Sequence, residues 1–283
     1  MHYTYKYNFN MSTLFNLRNI NFVLTGGLGQ IGLKLSEHLE QNGSKIIIID
    51  VFDQKKLKTF KKKYSFLNSK NIKIFNIDIS KKEKVKNSLN KILNFAKKID
   101  VLINLAAVDA NNKGSFNKNF DFHNFPTKLL EKSIDINLLG TINIAQVFCE
   151  YFVKNKIAGN IINVASIYSI VAPNIALYNK KLSSIKLKNK PMDYVISKSS
   201  IPNLTKFIAT NYGRQKIRSN CLVPHGIKNV HKKEFIKRYS NLSPMGRMSD
   251  VSEVIGPIIF LSTSASSYMT GATLIIDGGW SAW

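Results

Sequence analysis

Cysteine, arginine and acidic residues are all scarce in this chain of 283 residues. The two cysteines, Cys149 and Cys221, stand far apart in apolar segments, with no Cys-x-x-Cys or Cys/His spacing. A disulfide framework and a cysteine-built metal site are thereby excluded, and reduced core thiols with no bound metal are expected. No stretch approaches the ~18 uninterrupted apolar residues that a spanning helix requires, and the first residues lack a basic flank followed by an apolar run. The expectation is a soluble, cytoplasmic protein without a membrane partner. Asp and Glu number 17 against 41 Lys and Arg, a formal charge of +24. On its face that charge points to nucleic acid. Only five of the 41 cations are Arg, however, and 31 residues are Asn. A nucleic-acid reader draws on the planar fork of Arg, so the excess reads as a solvated lysine coat and no nucleic-acid partner is expected.

What is present is apolar material in a regular rhythm. Hydrophobic residues make up 44% of the chain, enough for one large core. Short apolar runs at 20–25, 45–50, 72–77, 101–105, 159–165, 217–223 and 273–277 read as strands. Helical patterns lie between them, at 30–41 (closed by Gly43), 53–66, a segment reaching Lys98 with Ser80 and Glu83 as a capping box, 127–154, 194–212, and 250–263 with Asp250 as N-cap. This alternation predicts an α/β fold, a doubly wound parallel sheet of about seven strands with helices on both faces, the Rossmann arrangement. Residues 1–13 read as a tail and 14–283 as one domain. Two connections, 108–126 and 172–193, are too long and polar to be ordinary and are expected to shape a site.

The first strand runs into Thr25-Gly26-Gly27-Leu28-Gly29-Gln30-Ile31-Gly32, in which Gly27, Gly29 and Gly32 satisfy G-x-G-x-x-G. Between a strand and a helix, such a turn lets the backbone approach a pyrophosphate that faces the positive helix end. Asp50 ends the second strand, where a carboxylate accepts hydrogen bonds from an adenosine ribose and repels a 2'-phosphate. The cofactor expected is therefore NAD, with NADP disfavoured.

Tyr194 and Lys198 lie four apart at the start of a predicted helix and share one face. An ammonium beside a phenol lowers a pKa that starts near ~10 and makes Tyr a usable acid/base. Spacing alone decides nothing in a chain with 11 Tyr and so many Lys, and a second such pair, Tyr212 and Lys216, occurs. That pair spans Gly213 at a helix end and cannot present one face.

At this point the chain resembles the short-chain dehydrogenase/reductase family over nearly all of 14–283. The matching pieces come in the family's order: the Gly turn, Asp50, Asp78, Asn104-Leu105-Ala106-Ala107, Asn137, Ser166, Tyr194 with Lys198, Pro224, and Thr270-Gly271 through Asp277-Gly278-Gly279. The resemblance implies an NAD(P)-dependent oxidoreductase that moves hydride to or from a secondary alcohol or ketone. By the same resemblance Tyr194 is the proton donor or acceptor. Lys198 lowers its pKa and bonds the nicotinamide ribose, Ser166 polarises the substrate oxygen, and Asn137 holds a water of the proton relay. Cofactor contacts are implied for Thr25, Gly26, Gly27, Gly29, Gln30, Ile31, Gly32, Asp50, Asp78, Ile79, Asn104, Ala106, Ala107, Tyr194, Lys198, Pro224, Gly226 and Ile227. Asp78 and Asn104 are implied to lie near the adenosine half.

The chain departs from the family pattern in several places. Leu105 and Ala107 replace an Asn and a Gly, and His225 stands where the family usually has Gly beside the nicotinamide. Ser166 and Tyr194 are 28 apart, about twice the usual gap. That insertion, with Ser243-Pro-Met-Gly-Arg247 and Gly279-Trp-Ser-Ala-Trp283, is similar to dehydrogenases of flagellin-modification and nonulosonate pathways. The substrate implied is a small, sugar-derived precursor of a surface glycan. Lys180, Lys181, Lys186, Lys188 and Lys190 in the second long connection favour one carrying phosphate or carboxylate. Two other readings keep the same fold: a non-catalytic NAD-binding regulator, and a non-redox sugar epimerase or dehydratase. The family also implies a homo-oligomer, a dimer or tetramer, through the apolar helix around 138–154 and the helix after Lys198.

Overall fold

The computed structural model describes residues 11–109, 122–179 and 190–283. Seven parallel strands form one sheet in the order β3-β2-β1-β4-β5-β6-β7. They are β1 (Asn21–Thr25), β2 (Lys45–Asp50), β3 (Ile72–Asn76), β4 (Val101–Asn104), β5 (Asn160–Val164), β6 (Arg218–Pro224) and β7 (Thr273–Ile276), each within a residue of its expected bounds. The strands are apolar throughout because helices cover both faces, and successive side chains serve opposite layers. Phe22, Leu24, Ile46, Ile48 and Ile103 pack against Leu35 and Leu39 of helix Gln30–Gln41 and against Ile258 and Leu261 of helix Ser252–Ser262. Val23, Ile47, Ile49, Leu102 and Ile161 pack on the other side against helices Lys82–Ala96, Thr141–Lys154 and Ile201–Tyr212. The chain winds outward from β1 to β3 and then crosses to β4 on the far side of β1. The crevice at the carboxyl ends of β1 and β4 is therefore the switch point where such sheets bind ligands.

Three helix boundaries differ from expectation for local reasons. The Ser80 capping box does not form, because the nearer carboxylate of Asp78 accepts from Ser80 N (3.0 Å) and Oγ (2.7 Å). Helix Lys82–Ala96 accordingly starts after Lys81 without a side-chain cap. The helix bearing Tyr194 begins at Met192, directly after Pro191, and breaks at Ser200 before Pro202 opens Ile201–Tyr212. Asp250 and Glu253 hold the start of Ser252–Ser262 from both sides, Asp250 Oδ1 accepting from Ser252 N and Glu253 Oε2 from Asp250 N. Tyr212 ends its helix, and Lys216 follows with φ of 62°, so that pair shares no face.

Thr127–Lys154 is continuous but passes through a π-helical turn at Asp135–Gly140. Among the described residues it is the one helix long and apolar enough to cross a bilayer by composition, yet more than half of its apolar window is buried in this core. Near the start of the described residues, Leu17 is buried and Ser264 Oγ donates to Leu14 O at 3.1 Å. Of the expected tail and the two long connections, residues 1–10, 110–121 and 180–189 lie outside the described residues, and with them Lys180, Lys181, Lys186 and Lys188.

Candidate active site

The Gly turn is built by the chain's own packing at one end and left open at the other. Gly26 has φ of 64°, and a Cβ there would stand 2.7 Å from Ala106 Cα, so only glycine fits. Gly29 is different: its backbone is extended (φ −75°, ψ 172°), and the nearest atom to a Cβ is Gly26 O at 3.1 Å. Nothing in the protein core demands a glycine there, which leaves room for a ligand to come close. Gly29 also opens helix Gln30–Gln41, whose first N–H groups receive no side-chain cap. Uncapped N–H groups at a helix start suit an anion.

Asp50, at the carboxyl end of β2, accepts from Leu28 N at 2.9 Å and Val51 N at 2.8 Å. Burial raises its pKa, opposed by these two donors and by Lys56. The carboxylate therefore stands against the Gly turn at the place a ribose would occupy. Thr25 Oγ1 accepts from Leu105 N and Ala106 N at 3.2 and 3.3 Å, closing the turn onto the end of β4. Gln30 Nε2 donates to Lys228 O at 2.6 Å and joins the turn to the loop after β6, where Ile227 bridges Ser249. Open glycine, uncapped helix start and neighbouring carboxylate together fit a dinucleotide.

Three of the expected site residues also have partners within the protein. Asn104 turns its amide into the sheet, where Nδ2 donates to Asn163 Oδ1 at 2.8 Å on neighbouring β5, and Asn163 in turn donates to Thr205. It braces β4 against β5, and the crevice at this position is lined by the Leu105 and Ala106 backbone. Ile79 is buried, and a Cβ on Gly140 would meet it at 2.7 Å, so it packs the π-helical turn. Asn137, wholly buried in that turn, donates from Nδ2 to Val108 O and Ser197 Oγ and accepts from Val108 N, each at 2.8 Å. Its backbone carbonyl accepts from Thr141 Oγ1 at 2.8 Å. The side chain thus fixes the strand-four loop to the helix that carries Tyr194.

Ser166, Tyr194 and Lys198 meet at the ends of β5 and its neighbouring helix. Ser166 lies beside the Tyr194 phenol and draws its pKa down. Lys198, 3% exposed, donates from Nζ to Val164 O at 2.6 Å, two residues before Ser166. Burial lowers the Lys198 pKa to about 8, with Cys221 opposing. Burial raises the Tyr194 pKa, and the groups that pull it back are Lys190 first and then Ser166. Lys190 is thus a cation against this phenol in addition to the expected Lys198. Lys190 Nζ lies 4.4 Å from the Tyr194 ring centroid and pairs with Asp109. Sequence reasoning named Lys190 only as one of a cluster and missed Asp109. The available signal was an acid, in a chain with few, just beyond β4 in a long connection.

His225 does not line the crevice as an exposed ring. It packs among Trp280 (4.7 Å between ring centroids), Tyr239 (5.3 Å) and Tyr168 (5.7 Å), and its backbone N donates to Ile276 O at 2.9 Å. Burial lowers its pKa to about 4, opposed by Asp277. The left-handed backbone position after Pro224 belongs instead to Gly226, with φ of 63° and a Cβ position 1.9 Å from Tyr239 Oη. On the far side of Trp280 is a cavity of about 260 Å³ lined by Val171, Ala172, Asn174 and Trp283, among others.

Fold and site together define an oxidoreductase of the nicotinamide-binding, doubly wound class, and comparison with known proteins gives the family. A family model described as enoyl-(acyl carrier protein) reductase matches residues 28–281. The NADH-dependent L-xylulose reductase of Ambrosiozyma monospora is 29% identical, over 92% of this chain and 94% of the relative. Post-translational flagellin modification protein A of Campylobacter coli is 26% identical, over 93% and 99%. Among solved structures, a short-chain dehydrogenase from Leptospira borgpetersenii with bound NAD+ has a TM-score of 0.78 and 27% identity, covering 99% of both chains. The chain belongs to the short-chain dehydrogenase/reductase family. It is an NAD(P)-dependent oxidoreductase that acts on alcohols or ketones.

Proposed function

We propose that this chain is an NAD-dependent dehydrogenase/reductase, one domain over 14–283, working in the cytoplasm on a polar, sugar-derived alcohol or ketone in the making of a surface glycan. The observation that carries this reading is that Ser166 lies beside the Tyr194 phenol, with buried Lys198 one helical turn further on, on the same carboxyl side of the sheet as the Gly turn and Asp50. When bound, NAD supplies the hydride acceptor and NADH the donor. Gly29 and the helix start hold the pyrophosphate, and Asp50 holds the ribose hydroxyls and disfavours a 2'-phosphate. Ser166 orients the substrate oxygen through its hydroxyl. Tyr194 gives a proton to that oxygen in reduction and takes it in oxidation. Lys198 lowers the Tyr194 pKa and bonds the nicotinamide ribose, and Asn137 holds a water of the proton relay. Trp280 and Asn174 at the neighbouring cavity suit a sugar-like molecule, which stacks its C–H faces on aromatic rings and bonds through hydroxyls. The resemblance to a flagellin-modification protein supports the glycan assignment.

The test is NAD(H) turnover across a panel of ketoses, polyols and activated amino sugars. Turnover of the sugars that falls at least ~1,000-fold in Tyr194→Phe, with NAD binding kept, is the expected result. Unchanged turnover in that variant sinks the reading.

A homo-oligomer, with a tetramer expected, is part of the same reading. On the two helices assigned to the contact, Ile144, Phe148, Phe152, Ile201 and Ile208 fill the monomer core. Leu139, Val153, Ile196 and Phe207 on the same helices remain exposed and supply the apolar surface. Sedimentation of a monomer alone contradicts this.

A further inference from the structure

We propose that Lys190, held by Asp109, is a positioning residue for the Tyr194 acid/base: a second cation, outside the Tyr194 and Lys198 pair, that stabilises the phenolate. The proposal rests on the reading of Tyr194 given above. Lys190 lies just before the helix that carries Tyr194, and Asp109 lies in the loop after β4, 81 residues away in sequence. Their side chains are 20% and 10% exposed. In each of the four other ion pairs among the described residues the lysine or arginine is at least 46% exposed, as a solvated lysine coat requires. The pair at Lys190 is thus set apart by burial and by what it covers.

A cation 4.4 Å from a phenol ring centroid is attracted by the ring face and far more strongly by the negative charge that ionisation adds. Burial works to neutralise Lys190, but Asp109 and Tyr194 outweigh it, and the ammonium is held above its ordinary pKa. The site therefore keeps an ammonium against the Tyr194 ring while the proton moves, with the more distant Asp109 carboxylate opposing it in part. In reduction the O–H bond at Tyr194 breaks as the carbonyl oxygen of the substrate gains that proton; oxidation reverses it, and Lys190 and Asp109 keep their charges throughout. Among the described residues, the other titratable groups facing this assembly are Lys198 one turn along the helix, Tyr168 and Tyr178 with their hydroxyls 2.6 Å apart, and His231. None of these places a second cation on the ring face of Tyr194. A purely structural strap between two loops would leave the phenol's titration alone.

The experiment is a pH titration of the NAD-saturated protein with tyrosine isotope-labelled at Cζ, the Tyr194 resonance being identified by its loss in Tyr194→Phe. Lys190→Met is expected to move the Tyr194 titration upward by about one to two pH units, and Lys190→Arg to restore most of it. Because Lys190→Met leaves Asp109 buried without this partner, Lys190→Met/Asp109→Asn is run beside it and is expected to shift in the same direction by less. An unmoved titration in either folded methionine variant overturns the proposal. The functional reading fails separately, if Tyr194→Phe still turns over the sugar panel, and the titration then still decides whether Lys190 sets the phenol.

Discussion

Gly26 and Gly29 sit three residues apart in one turn, and the structure assigns them opposite duties. At Gly26 an alanine Cβ would have to enter the left-handed region, at about 1–2 kcal/mol, and displace the Ala106 backbone from 2.7 Å, at about 1–3 kcal/mol more. For a domain of this size each kcal/mol lowers the melting point by about 2–4 °C, so Gly26→Ala is expected to melt roughly 5–15 °C early. At Gly29 the same methyl group meets only Gly26 O at 3.1 Å, and the cost to folding is a few tenths of a kcal/mol or so. It does occupy the space through which a pyrophosphate reaches the uncapped helix start. Losing one charge-assisted hydrogen bond there costs about 1.5–3 kcal/mol, which is roughly a 10- to 100-fold weaker NAD complex. Thermal melts of the free proteins and calorimetric titration with NAD separate the two effects. If Gly29→Ala binds NAD as tightly as the parent chain, the cofactor is not held at this turn and the argument fails.

Three further outcomes are expected. Asn137→Ala strands Val108 N, Val108 O and Ser197 Oγ in a buried turn, and is expected to cost about 2–4 kcal/mol in denaturant unfolding, with turnover lost alongside. An unchanged unfolding midpoint would show that Asn137 is not the brace described. Asp50→Ser removes the carboxylate that opposes a 2'-phosphate, so the ratio of NADP to NAD efficiency should rise at least ~10-fold; a constant ratio counts against the ribose assignment. His225 is depressed to about 4 by burial, below its ordinary 6.5, so its contribution to stability is complete above pH 6.5 and is lost as pH falls toward 4. Over that window unfolding free energy should drop by on the order of 2–3 kcal/mol more than in His225→Phe, and parallel pH curves for the two proteins would refute it.

The strands were readable because each is a short apolar run that ends at a turn residue, and a sheet buried on both faces leaves nothing else for such runs to do. Helix starts were less readable. Ser80 carries the right spacing to Glu83 for a capping box, yet Asp78 lies two residues away and takes both its donors. Local competition of this kind depends on the turn that precedes the helix, which periodicity does not encode. The Gly turn, Asp50 and Ser166 stand at the carboxyl ends of β1, β2 and β5, and strands that run parallel put those ends on one side of the sheet, so that much of their placement follows from the rhythm of the chain. The bond from Asn104 to Asn163 was not legible, because the register that pairs β4 with β5 is a property of the assembled sheet.

The hardest element to see was the one that composition hid. With lysine at every turn of the surface, no single lysine stands out, and Lys190 is distinguished only by burial and by Asp109. The acids carry more information here because they are few. Asp193 is fully buried and bonded by Ser133 Oγ at 2.5 Å on the helix that bears Tyr194, Asp109 holds Lys190, and Asp50 closes the Gly turn. Each of these carboxylates is partly or wholly withdrawn from water, which is costly unless a defined partner compensates. In a chain so positive, a surface acid is easily matched by any passing lysine, whereas an acid placed inside fixes one particular donor at one particular site. Asp50 at the end of β2 and Asp109 after β4 do this on the carboxyl side of the sheet, which is electrostatic support, independent of motif order, for the proposed site.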